Sequence, residues 1–272
     1  MILVDGHVHL HDCFGLPQFL SGTYENFRTA ARRSWPGRVC TCVMIVTDAS
    51  EQAGYERLTR LDPVDDCPSP ETGDGWRVQA TDENTSLLLG RASDEEMIAI
   101  SGRQIRSAEN LEVLAVGTRA RFEDGLPMDR LIRMVSEEGA LPVIPWGFGK
   151  WAASRRRLLS RLLRDANLPT FFLGDNGNRP RILHRSRLFK VAEGLGIRDL
   201  PGSDPLPFRG DSGRAGSSGA VFEGRLDRKT PARHLLSLLL DPQERIWQYA
   251  TQRPLLQFVR YQSAMQFRKL SS

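Results

Sequence analysis

Short apolar runs alternate with amphipathic stretches from Pro127 onward, and this rhythm restricts the fold more than any other feature of the chain. Helical spacing is read over 129–139, 154–166 and 186–195, with strands over 141–145 and 169–173. The N-terminal half is richer in strands, read over 2–8, 39–46, 76–80, 86–90, 97–100, 104–105 and 111–116. Helices are expected there over 24–34 and 51–61. Stretches 13–21, 62–75 and 208–219 read as loops, the last as a mobile one rich in Gly and Ser. A strand at 220–223 and helices at 231–240 and 254–269 complete the reading. Apolar strands alternating with helices imply a parallel sheet covered by helices. About seven repeats favour a barrel over an open sheet.

In such barrels the functional groups gather at the C-terminal ends of strands. The first strand ends in His7, His9 and His11, three of the five histidines in the chain. On a regular strand they share one face, and imidazoles at i and i+2 can hold one metal ion. Asp48 ends the second strand, and Glu112 lies in 111–116. Trp146 and Lys150 follow 141–145, and Asp175, Asn176 and Arg179 follow 169–173. Asp204 follows the next short strand. Histidines with carboxylates suit a divalent cation, which lowers the pKa of a bound water to ~7. The metal candidates are therefore His7, His9, Asp204, Glu112 and Asp48. Asp175 and Lys150 are candidate catalytic groups, with Asp175 a base or further ligand. Lys150, Asn176, Arg179 and Trp146 are candidates for binding a substrate, the two cations at its anionic end.

Structural readings stand beside these. Asp48 suits a helix N-cap, Asp175 and Asp204 suit turns, and Glu112 suits an ion pair with an arginine. His184 and His234 are expected at the surface or in structural roles.

With 272 residues, 40% hydrophobic and 26% charged, the chain has the composition of a globular protein that buries a large α/β core. No apolar run nears the ~20 residues of a membrane helix, and no secretion signal is read at the N-terminus. Cys13, Cys40, Cys42 and Cys67 form no CxxC pair, and free thiols fit a reducing cytoplasm. The net charge is +4, but the arginines are dispersed. The arginines at 155–157, with Arg161 and Arg164, lack interleaved aromatics. A solvated helix face is expected, and nucleic acid is not expected as a partner.

The order of the motifs resembles that of the PHP family (polymerase and histidinol phosphatase), and their opening also resembles the wider amidohydrolases. Asp5-Gly6-His7-Val8-His9 is similar to the first PHP motif. Thr47-Asp48-Ala49 resembles the second, Thr-Asp-His, and Gly102-Arg103-Gln104 the third, Gly-x-Glu. Residues 111–117 resemble the strand that usually carries a histidine. Ile144-Pro145-Trp146 stands where the family often has Ala-His-Pro, and Gly202-Ser203-Asp204-Pro205-Leu206 resembles the closing Gly-Ser-Asp-Ala-His. The motifs are short but span most of the chain.

The resemblance implies a distorted (β/α)7-8 barrel of PHP type, with residues 1–272 as a single domain and C-terminal helices. Family members hold up to three metals, yet Ala49, Gln104, the Trp146 region and Leu206 depart from the ligand pattern. What remains is His7, His9 and Asp204, with Asp48 beside them. His11 matches no motif, and Gln104 removes a bridging carboxylate. The expectation is a reduced site with one or two divalent ions (zinc, manganese or iron). It would hydrolyse a phosphoester or C–N bond in a small anionic substrate. The alternative is a barrel without catalysis that binds a ligand or a protein.

Overall fold

A computed structural model describes residues 1–62, 75–91, 95–180 and 182–271, the last six by their backbone alone. Cys67 and most of the loop expected at 62–75 lie outside the described residues. The strands are β1 (Ile2–Val8), β2 (Thr41–Asp48), β3 (Arg77–Ala80), β4 (Ser86–Gly90), β5 (Glu96–Arg106), β6 (Glu112–Val116), β7 (Leu141–Pro145), β8 (Phe172–Gly174), β9 (Ser218–Phe222) and β10 (Trp247–Ala250). The helices are α1 (Leu16–Ser34), α2 (Gly54–Leu58), α3 (Met128–Glu137), α4 (Ala153–Leu162), α5 (Arg187–Gly194), α6 (Pro231–Leu240) and α7 (Leu255–Ser271).

Eight strands follow the path β10-β9-β1-β2-β5-β6-β7-β8 and curl into a half-barrel. The first half of β5 also carries the β3–β4 hairpin. The sheet is not uniformly parallel, contrary to the reading from alternation. β6 runs antiparallel to β5 and β7, and β9 antiparallel to β1 and β10. Residues 107–111 alone join β5 to β6, and a parallel return needs a crossover of a dozen or more residues. One consequence bears on the site. Glu112 begins an antiparallel strand, so it stands at the same sheet end as the C-termini of β2 and β5.

Three apolar clusters lie on the two faces of the sheet. Ile2, Val4, Val43, Ile45, Ile98, Ile100, Leu114 and Val143 fill the inner face, where Ala232, Leu235 and Leu239 of α6 join them. Leu3, Val8, Met44 and Val46 face outward onto α1, which buries Phe19, Leu20, Phe27 and Ala31. Val113, Ala115 and Ile144 face outward onto α3, α4 and α5. Helix α3 buries Met128, Leu131, Ile132 and Val135 at 3–4-residue spacing. Each such side chain contributes about 1.5–3 kcal/mol on leaving water.

Strand β1 changes face along its length. Its register to β2 shifts between Asp5 and Val8. Ile2 and Val4 belong to the inner cluster, but Val8 sits with Leu3 in the outer one. A bulge of this kind re-aims side chains. Here it turns His7 and His9 inward, where strict alternation from Leu3 would have sent them out.

Segment 199–204 links β8 back to β1. It bridges to β8 through Leu173 and Asp199, and to Asn176 through Gly202. It reaches β1 through Gly6 N–H to Pro201 O, 2.9 Å, and Asp204 N–H to His7 O, 2.8 Å. Glycine is required at both contacts. A Cβ on Gly6 would lie 2.6 Å from Leu200 Cγ, and one on Gly202 would lie 2.3 Å from the His7 nitrogen.

Two loop expectations are corrected. Helix α1 starts at Leu16, inside the stretch read as loop, with a proline in its first turn. The stretch at 208–219 is a packed 3-10 turn (Arg209–Arg214) running into β9, with Asp211 and Arg214 buried. No helix among the described residues is long and apolar enough to cross a membrane.

Candidate metal centre

At the end of β1 the Nε2 atoms of His7 and His9 lie 3.0 Å apart. Asp204 Oδ1 stands 3.8 Å from each of them. One donor atom from each of these three residues falls within 4.8 Å of the others. Gln104, near the end of β5, adds its carbonyl oxygen at 3.1 Å from His7 Nε2 and 3.2 Å from His9 Nε2. Metal bonds of ~2.1 Å at a tetrahedral angle separate donor atoms by ~3.4 Å. The observed separations bracket that value.

The donor chemistry also fits a cation. Burial, then the neighbouring His7, lowers the His9 pKa and keeps the ring neutral, the form that ligates. Burial alone would raise the Asp204 pKa, but the positive charge of Lys150, and of His7 and His9 whenever they are protonated, holds it below the ordinary value. His7 fits less completely. Its Nδ1 is buried without a hydrogen-bond partner among the described residues, and a buried polar group left so costs about 1–3 kcal/mol.

Asp204 is held in an uncommon backbone conformation, φ +47°, which asparagine and aspartate tolerate best. Three contacts fix it. Its N–H donates to His7 O, and Asn178 Nδ2 donates to its backbone O at 2.6 Å. Asn176 Nδ2 donates to its Oδ2 at 2.8 Å, and to Trp146 O at the same distance. Asn178 is anchored in turn by the fully buried Arg253, which also makes a two-point ion pair with Asp211. Asp5, wholly buried, ties β1 to this corner. It accepts N–H bonds from Ser203, Gly216 and His7 at 2.8, 2.7 and 3.3 Å. Burial outweighs these bonds and pushes its pKa up to about 7.

The other residues singled out in the sequence occupy different places. Asp48 directs both carboxylate oxygens to the start of α2, accepting from Gly54 N and Tyr55 N at 2.8 and 3.0 Å. Those oxygens are committed to a helix N-terminus, so Asp48 does not join the cluster. Glu112 is ion-paired with Lys150. The pair lies within electrostatic reach of the cluster, Glu112 of His9 and Lys150 of Asp204. Asp175 is not brought to the histidines either. It is shared by Arg179 at 3.3 Å and Arg185 at 3.1 Å. Trp146 contributes its backbone carbonyl, and Asn176 reaches Asp204 and not open space. His11 is no ligand, since its Nε2 lies 2.9 Å from Pro205 O. His184 is exposed, and His234 accepts from Asp227 N at 2.9 Å.

Reading the sequence missed Gln104 as a donor because it was judged against glutamate. The position in Gly102-Arg103-Gln104 was itself the usable signal. Gln52, Asn178 and Arg253 carried no signal of their own, since each acts through a partner far away in the chain.

No protein-family model matches the chain, and no curated protein matches its sequence. Among solved structures, PsfC from Pseudomonas syringae PB-5123 is similar at a TM-score of 0.54 and 16% identity, over 97% of this chain and 98% of that one. The two chains share a fold. The lesion-specific endonuclease PfuEndoQ from Pyrococcus furiosus gives a TM-score of 0.47 at 14% identity, over 90% of this chain and 57% of that one. Endonuclease Q in complex with a 27-mer duplex substrate, with an abasic lesion at the active site, gives 0.47 at 13%, over 85% and 55%. This chain spans just over half the length of each endonuclease.

Proposed function

We propose that this chain is a metal-dependent hydrolase on a divergent PHP-type barrel, acting on a small anionic substrate. One divalent cation (zinc, manganese or iron) would be held by His7, His9, Asp204 and the carbonyl oxygen of Gln104. The observation that carries this reading is the convergence of those four donor atoms at one sheet end. A divalent cation supplies Lewis acidity to a substrate oxygen and acidifies water near neutral pH.

The donor set has two neutral imidazoles, one amide and one carboxylate. Against a divalent cation it leaves one positive charge uncompensated, which favours an anionic group on the substrate. Lys150 is the cation beside the cluster, and its stem lies over Gly147, where a Cβ would stand 2.6 Å from Lys150 Cδ. An incoming phosphate or carboxylate competes with Glu112 for the Lys150 ammonium and is oriented by it. Glu112, released from that pair, accepts the proton of the attacking water. Glu112, and not Asp175, is therefore the general base. Asp175 is engaged by Arg179 and Arg185 and takes no part in the step.

The test is an assay of metal-loaded protein on p-nitrophenyl phosphate, bis-p-nitrophenyl phosphate and N-acyl amino acids. Hydrolysis of one class, lost in His9→Ala and in Glu112→Gln, is the expected result. Metal-loaded protein that binds phosphate but turns over no class would be a binding module, not an enzyme.

A further inference from the structure

We propose that Gln52 is the positioning residue that fixes the tautomer of His9 and so presents its Nε2 lone pair to the cluster. The functional consequence rests on the metal reading above, but the hydrogen-bond directions do not. They follow from a chain that is fixed at both ends.

At one end is the carbonyl of Pro205, which can only accept. His11 Nε2 lies 2.9 Å from it and must carry a proton. In a neutral ring His11 Nδ1 is then an acceptor. It faces Gln52 Nε2 at 3.0 Å. At the other end is the backbone N–H of Ala49, which can only donate, and it meets Gln52 Oε1 at 3.1 Å. Both ends therefore require the same amide orientation. With Gln52 Oε1 an acceptor, His9 Nδ1, 3.1 Å away, must carry the proton. His9 Nε2 is left with its lone pair, pointing toward His7 Nε2 and Gln104 Oε1. The other ring nitrogen's partner is what commonly sets which imidazole nitrogen ligates.

The same contacts give Ala49 a role. Where the PHP resemblance expects a ligand histidine, this chain offers only a backbone N–H, and that N–H orients Gln52. His11 is likewise needed as an acceptor for Gln52 and not as a ligand, its ring stacked 5.4 Å from that of His9.

The experiment is two-bond 15N–1H correlation on 15N-histidine-labelled, metal-free protein at neutral pH. The five rings are assigned by single substitution, and zinc affinity is measured in parallel by chelator competition. Wild type is expected to show His9 with its proton on Nδ1 and His11 with its proton on Nε2. Gln52→Leu removes all three contacts, to His9, His11 and Ala49. His9 then becomes a tautomer mixture, and zinc affinity falls about 10–100-fold. Gln52→Glu keeps an acceptor for His9 Nδ1, so the His9 tautomer is rescued, while His11 keeps its Nε2 proton on Pro205 O and meets an acceptor in place of a donor at Nδ1. His9 protonated on Nε2 in wild type, or an unchanged His9 tautomer in Gln52→Leu, overturns the proposal. Wild type with the expected tautomers and no zinc binding upholds the assignment of Gln52 and defeats the metal reading alone.

Discussion

Asn176 donates to Oδ2 of Asp204 at 2.8 Å, which leaves Oδ1 as the oxygen facing His7 and His9. The carboxylate is thus aimed before any ligand arrives. Since Asn176 also holds Trp146 O, one amide ties the ends of β7 and β8 to the residue that completes the cluster.

Removing that amide should loosen the centre without unfolding the chain. In Asn176→Ala, zinc affinity measured by chelator competition is expected to fall about 10–100-fold, as it does when groups supporting a ligand are lost. An unchanged affinity would show that Asp204 is oriented by its backbone alone.

Gln104 offers a neutral oxygen where glutamate would add charge. Gln104→Glu places a second carboxylate on the same point, and affinity for a hard cation rises with ligand charge. Divalent-metal affinity is expected to increase about tenfold or more. A decrease would place the Gln104 side chain outside the coordination sphere.

The pH dependence of stability should carry the signature of Asp5. An acid whose folded pKa is raised binds its proton more tightly in the folded state. Its contribution is fully present below the ordinary value of 3.8 and is lost as pH rises to about 7. Urea midpoints of wild type and Asp5→Asn, followed from pH 4 to 8, should show wild type losing ground across that window. The full change is on the order of 4 kcal/mol. A difference that does not vary with pH contradicts the shift.

Arg253 and Asp211 are both almost wholly buried. Deleting one partner strands the other charge, at about 3–5 kcal/mol. Asp211→Ala should therefore lose that much stability in chemical denaturation, and its zinc affinity should fall too, because Arg253, which anchors Asn178 beside Asp204, loses the carboxylate that holds it. A loss below about 1 kcal/mol would mean that Arg253 relaxes to solvent.

Much of the architecture was legible because it depends on local periodicity. The strand at 141–145 and the helix at 231–240 are found at those bounds. Strand direction was not legible, since β6 turns back for reasons of linker length and not of composition. The short β10, with its exposed Trp247, gave no periodic signal at all. In the site, His7, His9 and Asp204 were readable from residue type and order. The bulge that turns the histidines inward was not, and neither was the competition for each carboxylate. Asp48 is taken by a helix start and Asp175 by two arginines, both facts of the tertiary arrangement.

The most direct measurement is the metal content of the purified, chelator-treated and zinc-reloaded protein by inductively coupled plasma mass spectrometry. The account predicts about one equivalent in wild type and less than about one tenth in His9→Ala and in Asp204→Ala, each with its fold confirmed by circular dichroism. Stoichiometric zinc that survives both substitutions, or none in wild type, would contradict it.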